Sequence, residues 1–386
     1  MRIGFDAKRA YQNGTGLGHY SRTLIHSMAN IFSENEYYLF APILTNRFNS
    51  GLYPNVQTIT PTHFPYKQLK AVWRSRGVKK ELEKLQIDVY HGVSNEIPIG
   101  IQYTNIKSVV TIHDLIFERF PSQYNPIDVF IYRRKFKYAC KHADAIIAIS
   151  QQTKHDLINI YKIAEENITV CYQSCDPSFT RRVAENEKEE IRQLYGLPSR
   201  YFLTVGSIIE RKNLLTLCKA MLILKEEKIN IPLLVIGKGD GYEKKVKQFV
   251  EDNDLQNLIL FLSDHPVARE HPCFKNSSHF PALYQMAEAM IYPSTFEGFG
   301  IPILEALYSR LPVITSNVSC MPEAAGDAAA YIHPFDERDL AAKMKLISAD
   351  FDVAASMKEK GWQYAQLFNE ERTATAVMNV YQKLML

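Results

Sequence analysis

Two hydrophobic patterns alternate along this chain. Short apolar runs, among them MRIGFDA, YYLFAPI, DVYHGV, SVVTIHD, DAIIAIS and NITVCY, are bounded by polar turns and lack a 3.6-residue period, which predicts strands buried on both faces. Between them lie HYSRTLIHSMANIF, KQLKAVWRSRGVKKELEKL, IDVFIYRRKFKYACKHA and QQTKHDLINIYK, whose apolar residues recur at helical spacing. A more polar stretch at 176–200, carrying Pro177 and Pro198, breaks the series. A second series then opens at YFLTVGS and continues through PLLVIGKG, LILFLS, MIYPS, PVITSN and AAYIH, again with amphipathic segments between. Strands separated by helices require parallel sheets covered on both faces, so the fold class is α/β. The expected domains are 1–180 and 195–365, with the amphipathic C-terminal segment 366–386 completing the first.

Length agrees with two domains, since 386 residues exceed one ordinary core. A 46% hydrophobic and 23% charged composition excludes a disordered chain. The start of the chain has no apolar run of signal-peptide length, and no window approaches the roughly 18 apolar residues of a membrane span, so the expected address is cytoplasmic. Six scattered cysteines form no paired C-x2-C block and read as reduced thiols. A net charge of +3 gives no reason to expect nucleic acid, and no nucleic-acid-binding motif occurs.

Candidate chemistry gathers beyond the ends of the predicted strands, where open α/β sheets bind ligands. In TFEGFGIPILEAL, Pro302 predicts a helix start near 301, while Gly298 and Gly300 permit a sharp turn and close backbone approach. Glu297 is expected on the loop rim and Glu305 in the first helical turn. Helix-dipole complementation is the plain explanation of Glu305, but no capping residue precedes it, and a ligand bearing hydroxyls and phosphates explains both carboxylates better. Arg211 and Lys212, in SIIERKN, follow a strand and open a helix, where cations oppose the dipole and suit an anion. Gly14, Gly16 and Gly18 resemble part of a dinucleotide fingerprint, yet YYLFAPI ends without the acidic residue that a nicotinamide site needs. His113 ends an apolar strand and is either a satisfied core group or a ligand contact. Asp252-Asn253-Asp254 and Asp350-Phe351-Asp352 match a metal-binding string, but their place beside helices predicts caps and turns. His265, His271 and His279 lie in the extended HPVAREHPCFKNSSHF without a helical pair, and read as part of a surface loop.

EGFGIPILEA followed by PVI resembles the glutamate-x7-glutamate signature of family-4 retaining glycosyltransferases, and GTGLGHYSR, VVTIHD, ADAIIAIS, VGSIIERKN, LLVIGKGDG and MPEAAGDAA follow in family order. The resemblance spans nearly the whole chain. It implies a GT-B architecture, two Rossmann-like domains facing each other across a cleft, with the acceptor on the first and the nucleotide sugar on the second. It implies catalytic roles for Glu297, His113, Arg211 and Lys212: His113 on an outer hydroxyl of the donor sugar, the two cations on the diphosphate, and Glu297 orienting the hexose. Donor binding would involve Gly16, Gly18, Ser207, Phe299, Gly300, Ile301, Leu304 and Glu305, the last on the ribose. No metal and no cofactor beyond the nucleotide-diphosphate sugar is implied. IHDLIFERFP followed by a tyrosine- and arginine-rich helix is most similar to bacterial mannosyltransferases of polysaccharide and O-antigen synthesis, which points to GDP-mannose and a glycan or lipid-linked acceptor. A UDP-hexose donor, sucrose- or starch-type synthesis and a non-catalytic sugar-nucleotide binder are the alternatives. Ser263 stands where family members commonly have glycine, which puts the placing of the nucleoside base in doubt.

Seven basic residues against two acidic ones between Lys67 and Lys84, with Trp73 and Leu69 among them, suggest a helix that lies on an anionic membrane, at the inner face of the cell membrane. A solvated helix face is the other reading. YRRKFKYACKH at 132–142 adds a second basic, aromatic cluster.

Overall fold

In the computed structural model, which describes residues 1–386, thirteen strands fall into two parallel sheets. The first contains β1 (Arg2–Asp6), β2 (Glu36–Phe40), β3 (Val56–Ile59), β4 (Val89–Gly92), β5 (Lys107–Ile112), β6 (Ala145–Ala148) and β7 (Ile168–Val170). Its order is β3-β2-β1-β4-β5-β6-β7. The second contains β8 (Phe202–Val205), β9 (Leu233–Ile236), β10 (Ile259–Phe261), β11 (Met290–Tyr292), β12 (Val313–Ser316) and β13 (Ala329–Ile332), ordered β10-β9-β8-β11-β12-β13. Each sheet therefore reverses direction beside its own first strand, between β1 and β4 and between β8 and β11. Crevices open at such switch points, outside the carboxyl ends of the strands.

The chain divides into two units: Met1–Cys175 together with Phe368–Leu386, and Asp176–Leu367. In the first, apolar side chains pack on both sheet faces, one side around Ile3, Phe5, Leu24 and Tyr37, the other around Phe40, Trp73, Tyr90 and Ile112. The helix Glu370–Met385, capped by Asn369 accepting from the Arg372 amide at 2.8 Å, packs against the helix Gly16–Ile31 and contributes Val377, Met378 and Tyr381 to that core. In the second unit, Phe202, Leu217, Leu233, Ile291 and Met344 belong to one continuous core. At roughly 1.5–3 kcal/mol for each fully buried large aliphatic or Phe side chain, these cores dominate the stability of both units.

Two segments differ from the sequence reading. The basic stretch forms a helix interrupted by a π-turn, Trp73–Gly77, and Trp73 is only 2% exposed. Trp73 is a core residue, so the tryptophan expected to anchor in a membrane faces inward. The 264–281 stretch, expected as a loop, contains the short helices Pro266–Glu270 and Pro272–Lys275 and the start of Phe280–Gln285. Pro266, Pro272 and Pro281 each sit in a first turn, where a fixed φ favours helix and no donor is lost.

Candidate active site

The loops leaving β8 and β11 flank the switch point of the second sheet. After β8 the chain passes Gly206 and Ser207, makes the turn Glu210–Lys212, and enters the helix Leu214–Glu226 through Asn213, whose φ is 59°. The buried Asn213 amide donates to the Pro293 carbonyl at 3.2 Å, and the Thr295 amide donates to the Arg211 carbonyl at 2.8 Å. These bonds lock the two loops together before any charged group is considered.

Within that frame Arg211 Nη1 lies 2.7 Å from Glu297 Oε2 and Lys212 Nζ lies 2.6 Å from Glu297 Oε1. Glu297 is 7% exposed, so it is buried instead of standing on a rim. Burial disfavours its charge, but Lys212 and Arg211 outweigh that and hold its carboxyl below the usual carboxylate range. Lys212 is pushed down by burial, opposed by Glu297 and reinforced by Arg211. Its ammonium also bonds the Tyr292 hydroxyl and lies 4.6 Å from that ring's centroid. Two cations against one carboxylate leave a surplus positive charge. Ser207, Lys212 and Tyr292 line a small recess there, together with Thr204 and Ser294.

Past Glu297 the chain turns through the buried Phe299 and through Gly300 at φ 107°, a conformation that strains any residue with a Cβ. The Cys320 thiol donates toward the carbonyls of Glu297 and Phe299, both at 3.1 Å, and so braces the turn. The helix Ile301–Tyr308 begins there, with the Pro in its first turn and Leu304 fully buried. Glu305 is its fifth residue, beyond the first turn where it was expected, so dipole complementation does not explain it. It accepts a 2.6 Å hydrogen bond from the Tyr284 hydroxyl. Burial raises its pKa to about 7, against the effect of that bond and with help from Asp176. Ser263, the departure noted above, accepts from the Gly237 amide at 2.9 Å.

In the first unit, His113 follows β5 and is 6% exposed. Its Nε2 lies 2.9 Å from the Val93 carbonyl, which can only accept, so Nε2 carries the proton and Nδ1 keeps the lone pair. Burial pushes the ring down to about 4, and it is neutral at pH 7. The Tyr20 ring meets it edge-on at 4.7 Å. Tyr20 belongs to the helix Gly16–Ile31, so the glycine turn and His113 are held at one end of one sheet. A Cβ on Gly18 would fall 1.9 Å from the Asn13 carbonyl oxygen, whereas one on Gly16 would meet nothing within 4 Å. Only Gly18 is sterically required.

Sequence reasoning missed several supporting groups. Tyr292, Cys320 and Tyr284 sat in quoted motifs or beside them, but their contacts depend on long-range pairing. It also missed the charge cluster at the first switch point, where Arg74 Nε donates to the buried Asp6 at 2.9 Å, Arg74 Nη1 to Glu96 at 3.0 Å, and Ser94 to Asp6 at 3.1 Å. The D-x-D strings lie in the turn and cap positions expected of them: Asp254 sits in a turn at φ 52°, and Asp350 caps the helix Phe351–Ala365.

Residues 15–179 match the model of Glycosyltransferase Family 4, and residues 187–363 match that of Glycosyl transferases group 1. The chain belongs to the family-4 glycosyltransferases. Relatives of this glycosyltransferase include O-antigen chain mannosyltransferase B of Escherichia coli, 27% identical over 299 residues, 77% of this chain and 74% of that protein. The O-antigen chain mannosyltransferase RfbU of Salmonella typhimurium is 29% identical over 241 residues, 62% of this chain and 61% of that protein, so the match spans less than two thirds of it. HepE from Anabaena, solved in complex with UDP and glucose, superimposes with a TM-score of 0.73 at 15% identity over 99% of both chains. The glycosyltransferase thus has the GT-B fold, with two Rossmann-like parallel-sheet domains.

Proposed function

We propose that this glycosyltransferase transfers mannose from GDP-mannose to a glycan or lipid-linked glycan, with retention of anomeric configuration and without a catalytic metal. The observation that carries the reading is the Arg211–Glu297–Lys212 cluster at the switch point of the second sheet. As the glycosidic bond to the diphosphate breaks, negative charge grows on the leaving phosphate. Fixed cations in a partly desolvated site stabilise that charge most when they need not reorganise. Arg211 and Lys212 are held in advance by Glu297.

In this reading Glu305 accepts from the ribose hydroxyls, and Glu297 stabilises the oxocarbenium-like sugar while keeping the cations in place. Phe299, Gly300 and Ile301 supply backbone groups to the hexose, Leu304 packs beneath them, and Ser207 contacts the phosphates with Gly16 and Gly18. His113, through its Nδ1 lone pair, accepts from a donor hydroxyl. A leaving-phosphate oxygen takes the acceptor's proton, so no further base is required. The second domain takes most of the donor and the first most of the acceptor. The two mannosyltransferase relatives support the choice of donor sugar; HepE, bound to UDP and glucose, supports a UDP-hexose as the second reading.

No helix is long and apolar enough to cross a membrane. A lipid-linked acceptor nevertheless suits the exposed Phe64, Leu69 and Val72 beside Lys67, Arg76 and Lys80, and the exposed Ile127, Phe130 and Ile131 on the basic helix Pro126–His142. We assign these as the membrane-facing groups, at the inner face of the cell membrane, and unchanged binding of a Lys79→Glu/Lys80→Glu variant to anionic vesicles would remove the 67–84 segment from that role.

The deciding experiment combines calorimetric titration with GDP, UDP and ADP, with and without EDTA, and proton NMR of the product's anomeric centre. EDTA-insensitive preference for GDP and a retained anomer are expected. UDP preference moves the donor to the second reading, while an inverted anomer or a strict metal requirement overturns the mechanism. Undiminished function in a Glu297→Ala variant would identify a sugar-nucleotide binder instead of a catalyst.

A further inference from the structure

A side-chain cluster in the second unit is used by none of the chemistry above. The 264–281 stretch, read from sequence as a surface loop, folds so that His271, Cys273 and His279 place ligand-capable atoms within 4.8 Å of one another. Its helical pieces Pro266–Glu270 and Phe280–Gln285 pack on the helix Glu185–Tyr195. At the end of that helix Tyr195 is ringed by aromatic neighbours, His271 at 6.2 Å, His279 at 5.8 Å and Phe274 at 5.8 Å between centroids. The two histidine rings lie 5.0 Å apart.

We propose that His271, Cys273 and His279 bind a zinc-class divalent cation that fastens the segment following β10 to the helix Glu185–Tyr195. A thiolate with two imidazoles is a donor set suited to zinc, with a fourth position left for water. Tetrahedral zinc, with bonds of about 2.0–2.3 Å, needs its ligand atoms about 3.3–3.7 Å apart. From an outer limit of 4.8 Å, side-chain adjustments of about 1 Å close the site.

Two further observations favour it. The Tyr195 hydroxyl lies 2.8 Å from His279 Nδ1, a partner that orients the ring and leaves Nε2 for a cation. His271 Nδ1 accepts from the Cys273 amide at 3.3 Å, which keeps the first two ligands of the cluster in one turn. The sequence concealed the site because its histidines are eight residues apart with no helical repeat, and the third ligand is a cysteine between them. Cys273 is also the one cysteine of six that is not buried.

The test uses the full-length, tag-free chain stripped with EDTA. Titration with Co2+ is expected to give one equivalent bound, with a near-ultraviolet thiolate-to-cobalt charge-transfer band that Zn2+ chases. Cys273→Ser should abolish the band, and both Cys273→Ser and His279→Ala should weaken Zn2+ at least tenfold. A second measurement needs no variant: saturating Zn2+ should slow iodoacetamide labelling of Cys273 at least tenfold, read by peptide mass. Sub-stoichiometric Co2+ without the band, equal Zn2+ affinity in wild type and Cys273→Ser, or an unchanged labelling rate each overturns the proposal.

Discussion

Glu305 provides a test of the donor site that depends on a proton. Its carboxyl titrates near 7 because it is buried beside Asp176, with one compensating bond from Tyr284. If ribose hydroxyls donate to Glu305, the ionised form is the binding-competent one, since a carboxylate accepts at both oxygens and a carboxylic acid does not. Observed affinity then scales with the ionised fraction. With a pKa of about 7, that fraction is about 0.9 at pH 8 and about 0.1 at pH 6, so Kd should weaken roughly tenfold over this interval, or about 1.4 kcal/mol. The ligand should be an intact sugar nucleotide, whose diester diphosphate does not titrate in this range, followed by calorimetry in buffers of differing ionisation enthalpy to count released protons. Glu305→Gln keeps the shape and removes the titration. It should weaken binding at pH 8 by roughly tenfold or more, as expected for loss of a charge-assisted acceptor, and flatten the profile. A flat wild-type profile between pH 6 and 8, or the same slope in Glu305→Gln, would refute the placing of the ribose on this carboxylate.

Glu297→Gln leaves the half-buried Arg211 and Lys212 without their counter-charge, which should cost about 3 kcal/mol, lower the melting temperature of the second unit by several degrees, and be partly reversed by inorganic pyrophosphate; an unchanged melting curve would show the cluster to be energetically idle. Gly18→Ala forces a Cβ against the Asn13 carbonyl and should destabilise the first unit by about 2 kcal/mol or more, while Gly16→Ala stays within about 0.5 kcal/mol in denaturant titrations. Buried His91, bonded to Tyr381 at 2.6 Å and Thr111 at 2.7 Å, is pushed by burial to about 3, and His113 to about 4. Both folded values lie below the unfolded value of 6.5, so their contribution is complete above pH 6.5 and is lost as pH falls below it, by about 1.4 kcal/mol per pH unit for each ring down to about pH 4. Urea titrations of the wild type and His91→Gln should show one such increment missing in the variant.

The fold was legible because its cues are local. Apolar runs such as SVVTIHD and LLVIG need only their own composition to announce buried parallel strands, and Pro302 alone placed the start of its helix. The geometry of the candidate cluster was less legible. Glu297 and Arg211 lie 86 residues apart, and nothing short-range says that the carboxylate will be buried between two cations from another loop. Trp73 looked like an interfacial anchor because basic residues surround it, yet a π-turn rotates it into the core. Asp6, Arg74 and Glu96 carried no motif at all; their pairing depends on β1 and β4 being neighbours.

The buried carboxylate at the second switch point has a consequence for turnover under the proposed mechanism. Arg211 and Lys212 alone would bind a diphosphate tightly and would repel one another while empty, so they would be poorly placed for the next donor. With Glu297 between them, the empty site is already ordered and retains a surplus of one positive charge. The lowered pKa of Lys212 shows that burial and Arg211 together outweigh the help of Glu297, so a second anion is still welcome there. Donor binding is then an exchange in which phosphate oxygens join a carboxylate already in place. Such a site is preorganised for the charge that develops in the transition state, and it releases the nucleoside diphosphate more readily than two unshielded cations do.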